Sequence, residues 1–303
     1  MNHNVLKQKA IALACAACLI GTSQAFDLKG ALKDAVKEQI GVTDKKETST
    51  APASGTADNA SAQDKLANIN WTSPSLEDEI AVGRNVTGTI LGAAPLVSDA
   101  GLQAYVNKVG RWVASQSERA DIAWHFGVID SSDINAFATP GGYVLITKGL
   151  YQRLTSEAQL AGVLGHEIAH VVQKHHLKVM QKQALLDAGT AFLKEKISKN
   201  KLTQRAVSTG AEISARNLDK SAEYEADSMG TVLAARAGYE VYGLAEVLQA
   251  LAQVSNNDSS MALLFQTHPH PDERLAQLSL ISGNQLDSME GGKTLDSRLY
   301  RLK

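Results

Sequence analysis

The sequence predicts an α+β fold, mainly helical with a small sheet of three to four strands. Residues 123–130 alternate as a strand does, and residues 135–139 and 142–147 read as two more, punctuated by Pro140-Gly141-Gly142. Beyond these three short strands, helical periodicity dominates the chain. Strands gathered in one part of the chain and then a run of helices are the pattern of an α+β domain.

In chain order, residues 1–25 read as a secretory signal. Lys7 and Lys9 give a basic start, residues 10–21 an apolar run, and Ser23-Gln24-Ala25 a small-residue cleavage site. A lipoprotein signal is the rival reading, but neither Cys15 nor Cys18 has a leucine three positions before it. Removal of residues 1–25 takes both cysteines of the chain, which excludes a disulfide or a thiolate metal site in the remainder. It also leaves 28 basic against 32 acidic residues, a net charge of −4, with nothing in it to suggest nucleic acid. Residues 26–41 carry Leu28, Leu32, Val36 and Ile40 at helical spacing and predict a short amphipathic helix. Residues 42–70, rich in Ser, Thr, Ala and Lys, predict a flexible linker. No later stretch reaches the about 18 uninterrupted apolar residues of a membrane span, so no transmembrane helix is expected.

The main domain is expected over residues 71–285, with 286–303 as a tail. Ser75 caps a helix reaching about residue 92, and a second spans about 99–117. After the strands, Ser156 caps a central helix with Glu157 in its first turn, and the pattern allows it to continue past His176. Residues 182–218 are ambiguous. Helices are expected over about 219–237, 243–254 and 272–281, with no internal repeat.

The central helix holds His166-Glu167-Ile168-Ala169-His170. At 3.6 residues per turn, positions four apart lie about 40° apart in azimuth, so both imidazoles can reach one cation. Glu167 flanks that position as a general base and not as a ligand. Leu160, Leu164, Ile168 and Val171 form an apolar stripe alongside, as a buried helix lining a cleft requires.

A catalytic Zn²⁺ takes three protein ligands and an open position, so one ligand remains to be found. His176 is one candidate, at the place of the third histidine in H-E-x-x-H-x-x-G-x-x-H, but Gln173 stands where that pattern needs glycine. If the helix runs on, His175 and His176 both point away, with His175 on the apolar stripe as a core histidine. Glu223, 53 positions beyond His170, is the other candidate and the preferred one. Asp227 lies one turn further on the same face and can accept the outer N–H of a ligating histidine. Ala222, Ala226 and Gly230 give that helix a small-residue strip for close approach, and Glu225 points away, toward solvent.

Five segments in order, Glu79-Ile80-Ala81-Val82-Gly83-Arg84, the run from Asn135 to Gly142, Gly165 to His170, Glu223 to Asp227, and Thr267-His268-Pro269, resemble the gluzincin metallopeptidases of the HtpX, Oma and CAAX-prenyl-protease family, especially their soluble periplasmic BepA-like members. The resemblance implies a zincin-type endopeptidase with one Zn²⁺ per subunit held by His166, His170 and Glu223. It also implies Glu167 as base, Asp227 behind the ligands, and Asn135 and Ala136 on an edge strand that pairs with extended substrate. In such relatives the histidine matching His268 can fill the open metal position, which marks His268 as an autoinhibitory ligand. The expected substrates are unfolded or misassembled proteins of the cell envelope, with a periplasmic location and peripheral contact with the outer membrane or its assembly machinery. A zinc-stabilised, chaperone-like binding module is the alternative. Tyr224, His270 and Arg274 are candidates for stabilising an oxyanion.

Overall fold

The computed structural model describes residues 68–193, 218–255, 258–287, 289 and 291–302. The expected signal peptide, the amphipathic helix, nearly all of the linker and most of the ambiguous 182–218 stretch lie outside the described residues. Among these residues are helices α1 (Leu76–Ala93), α2 (Ala100–Ala114), α3 (Lys148–Tyr151), α4 (Glu157–Val172), α5 (His175–Leu193), α6 (Lys220–Arg236), α7 (Gly243–Ala252), α8 (Ala262–Thr267) and α9 (Pro271–Asp287), and strands β1 (His125–Ile129), β2 (Ala136–Thr139) and β3 (Tyr143–Thr147). The α+β expectation is met, with a sheet of three strands. α3 and α8 were not anticipated; each is under two turns long, too short for a periodic signal.

Local chemistry fixes the element starts. Ser75 closes a capping box with Asp78 at the head of α1. Asp99 caps α2, and Ser156 caps α4 by accepting from the Gln159 N–H. Each such cap contributes about 1 kcal/mol. The strands order as β1-β3-β2, with β1 parallel and β2 antiparallel to β3. The β2–β3 turn uses Gly141 and Gly142 at φ +77° and +96°, a region that side-chain-bearing residues rarely enter.

The two outer edges of the sheet are finished differently. Along β1, Gln103 from α2 donates to the Val128 carbonyl and accepts its N–H, Asn107 accepts from Phe126 N–H, and Val97 N–H donates to Val128. Along β2, Asn135 pairs with Thr147 of β3, so by antiparallel alternation the N–H and C=O of Ala136 and Ala138 point away from β3.

α4 is enclosed almost all round; Leu160, Ala161, Leu164, Ile168 and Ala169 have no exposed surface. Its first residue, Glu157, is fully buried and accepts from Tyr105, Tyr239 and Arg298. Residues 293–302, set apart in the sequence as a tail, lie along the domain: Ala158 N–H donates to Thr294, Tyr151 hydroxyl to the Tyr300 carbonyl, and Leu299 is buried in the core. α6 crosses α4 at two facing glycines. A Cβ on Gly165 would stand 2.6 Å from the Gly230 carbonyl oxygen, and one on Gly230 would stand 2.5 Å from His166 N. That contact brings Glu223 to the histidines. Among the described residues no helix is long and apolar enough to cross a membrane.

Candidate metal centre and active site

His166, His170, Glu223 and His268 each bring one ligand-type atom into a group whose members lie within 4.8 Å of one another, and all four side chains are buried. The two imidazoles meet with their Nε2 atoms 3.0 Å apart. Glu223 Oε1 is 3.6 Å from His170 Nε2, and Oε2 is 3.7 Å from His166 Nε2 and 2.7 Å from His268 Nδ1. α4 supplies the two histidines, α6 the carboxylate, and the residue just after α8 supplies His268.

Each group is prepared for its surroundings. Behind His166, Asp227 Oδ1 accepts from Nδ1 at 2.9 Å. Arg274 donates to both Asp227 oxygens, at 3.0 and 2.6 Å. Burial alone would raise the Asp227 carboxyl, but Arg274 and His166 override it and hold it well below the usual carboxylate range. Burial pushes the Glu167 carboxyl up, against the pull of His166 and His268, toward the range where a base can also release its proton. Burial, reinforced by the neighbouring His166, holds His170 well below the ordinary imidazole value, so it is neutral as a ligand must be.

The residues present fit a divalent cation. His166 gives its Nδ1 proton to Asp227, which leaves Nε2 with a lone pair facing the other imidazole. Glu223 Oε1 is buried without a hydrogen-bond partner. Unpaired acceptors converging in a protein interior are costly, and a cation placed between them would offset that cost. Two nitrogens and a carboxylate oxygen are one of the donor sets that catalytic zinc sites use.

α4 stops at Val172 instead of running on. Gln173 caps it, Lys174 takes φ +58°, and α5 begins at His175. The Lys174 ammonium is paired with buried Glu79, which also holds Arg119. The break turns both following histidines back toward the cluster, which corrects two expectations. His175 is buried and paired, but through the cluster and not on the apolar stripe: its Nδ1 lies 2.9 Å from His170 Nδ1, and its Nε2 lies 3.3 Å from Glu225, which is not merely solvated. His176 also faces His170, with ring centres 5.4 Å apart, is pushed down to about 4 by burial, and is not in the four-donor group.

Asn135 is fully buried. Its Oδ1 accepts from Thr267 at 3.3 Å, whereas Nδ2 has no partner. Of the oxyanion candidates, Arg274 is engaged with Asp227, and His270 stacks on Phe265 with ring centres 5.2 Å apart. Arg274 as the brace of Asp227 was missed, although a carboxylate buried behind a ligand demands a cation and only the fold shows which one answers.

A buried helix with two histidines and a glutamate, crossed by a second helix that adds a carboxylate, is the donor arrangement of a class of metallopeptidases. Residues 100–282 match peptidase family M48, and the chain belongs to that family. It is 29% identical over 261 residues to the beta-barrel assembly-enhancing protease of Yersinia pestis, covering 79% of this chain and 51% of that protein. The protein of the same name from Escherichia coli (strain K12) is 28% identical over 230 residues, covering 73% and 47%. The mitochondrial metalloendopeptidase OMA1 of Bos taurus is 33% identical over 169 residues, covering 52% and 32%. The chain thus spans about half the length of the bacterial relatives.

Proposed function

We propose that the protein is a zinc-dependent endopeptidase that hydrolyses peptide bonds in unfolded or misassembled proteins of the cell envelope. One Zn²⁺ would be held by His166, His170 and Glu223, and the convergence of these buried donors is the observation that carries the reading. When bound, Zn²⁺ supplies a Lewis acid that polarises the scissile carbonyl and eases deprotonation of the attacking water. Glu167 takes that proton and delivers it to the departing amine, and burial, by raising its pKa, suits it to both tasks. Asp227 keeps the His166 proton on Nδ1.

The outer edge of β2 is the proposed seat of the substrate. Ala136 offers outward main-chain groups to an extended peptide, which would bind with little demand on its sequence. Asn135 Nδ2, a buried donor with no acceptor, would find one in a substrate carbonyl. The envelope assignment rests on the expected signal at residues 1–25 and on relatives named for β-barrel assembly. A periplasmic location and contact with the outer membrane or its assembly machinery belong to the same proposal.

His268 gives a second reading its support. As a fourth protein donor it would close the coordination sphere, as in structural zinc sites, and a zinc-stabilised binding module for unfolded chains would have that closed site. In the peptidase reading the same contact is latency, relieved when His268 leaves. Casein digestion separates the two. With zinc supplied, His268→Ala should digest faster than wild type, and His268→Ala combined with Glu167→Gln should not digest. Casein left intact by the zinc-loaded His268→Ala protein overturns the peptidase reading.

A further inference from the structure

The two histidines of the centre are supported in different ways, and only the support behind His166 was foreseen. Behind His170 a chain of polar groups leads outward from the buried interior. His170 Nδ1 meets His175 Nδ1 at 2.9 Å, and His175 Nε2 meets Glu225 Oε2 at 3.3 Å. The side chains of His170 and His175 are buried, and that of Glu225 is half exposed, at 51%.

The direction of these hydrogen bonds is fixed from the outer end. A carboxylate open to solvent accepts and does not donate at neutral pH, so His175 must carry its proton on Nε2. A neutral His175 protonated there has a lone pair on Nδ1, so that bond must be donated by His170 Nδ1–H. His170 then has no proton on Nε2, the nitrogen that faces His166 at 3.0 Å and Glu223 Oε1 at 3.6 Å. Reversing the order would put a proton on His170 Nε2, aimed into the cation position.

We infer that His175, oriented by Glu225, is a positioning residue that holds His170 in its Nδ1–H form, with Nε2 directed to the metal. This rests on the zinc reading of the site. The device depends on the turn after α4: His175 can reach back five positions to His170 only because Lys174 takes φ +58° between the two helices. Five residues along an unbroken helix are about 500° of rotation, or 140° after one full turn, which would carry the ring away.

The test is zinc affinity of the full chain, prepared without metal and titrated against a competing chelator, together with the tautomer of His170 read from long-range ¹H–¹⁵N correlations. His175→Phe keeps an aromatic ring and removes the acceptor. It should weaken zinc binding about 10- to 100-fold, the range for losing a group behind a metal-ligating histidine. His175→Gln, whose amide oxygen can still accept from His170, should recover most of that loss, which a purely space-filling role would not predict. Glu225→Ala, at a half-exposed position, should fold normally and convert a single His170 tautomer into a mixture.

Equal zinc affinity in wild type and a folded His175→Phe overturns the inference and leaves the zinc site standing. Wild type that binds no zinc overturns both. If His175→Phe does not fold, the wild-type spectrum decides: His170 protonated on Nδ1 supports the inference, and His170 protonated on Nε2 overturns it.

Discussion

The two sides of the candidate metal centre solve one problem, how to keep an imidazole nitrogen bare and aimed, with opposite materials. Behind His166 the support is direct and ionic: a fully buried carboxylate, Asp227, clamped by a buried guanidinium, Arg274. Behind His170 it is a relay through a second imidazole to a carboxylate at the surface. The first is rigid and costly to break, because removal of either charge strands the other in the interior. The second is built mostly from neutral groups, and its one charge is already hydrated. Stability therefore depends chiefly on the His166 side, while the His170 side bears on metal affinity more than on folding.

The largest expected effect comes from that asymmetry. Asp227→Ala leaves Arg274 buried at 4% exposure without its carboxylate, and breaking such a pair costs about 3–5 kcal/mol. Urea unfolding of the metal-free protein should show the loss. A cost no greater than that of His175→Phe would remove the distinction between the two sides.

Acid should act on the same side. The folded-state pKa of Asp227 is depressed, by Arg274 and His166 against the opposing effect of burial. A depressed carboxyl contributes stability in full above its unfolded value of about 3.9 and loses it as pH falls toward the lower folded value. The stability difference between wild type and Asp227→Asn, measured by urea unfolding without metal, should therefore shrink between about pH 5 and pH 3. A difference that does not change with pH would show that Arg274 and His166 do not hold Asp227 ionised.

The same asymmetry explains what could be read from the sequence. His166 and His170 are visible because four-residue spacing on a helix is a local geometric fact. Glu223 and Asp227 were legible because they repeat that spacing on a second helix, whose Gly230 permits the close crossing. The relay was not legible. It depends on α4 ending at Val172, and no local signal marks that end, since a lysine occupies the left-handed position where glycine would have given it away. The residue standing behind Lys174 is Glu79, 95 positions earlier, buried in α1 and also paired with Arg119. A tertiary contact thus overrode the helical continuation that periodicity allowed. Arg274 was hidden for a related reason, because its partner Asp227 is set by how α9 packs on α6. The strands, in contrast, were found to within about two residues, since their turn is marked by Pro140-Gly141-Gly142.

The smallest expected effect is at the surface end of the relay, and it is the sharpest check on the comparison. Glu225→Ala removes a half-exposed acceptor from a 3.3 Å contact and strands no buried charge. Stability of the metal-free protein should stay within about 0.5 kcal/mol of wild type, as at ordinary surface positions. Zinc affinity should fall, but by less than in His175→Phe, because His175 can still accept from His170 in one of its two tautomers. The effect should also fade as salt rises toward about 1 M, where screening shortens to about 3 Å, whereas the buried Asp227 side should be nearly indifferent to salt. Equal salt dependence in Asp227→Asn and Glu225→Ala would mean that solvent reaches both sides alike, and the contrast between a sealed support and an open one would have no physical basis.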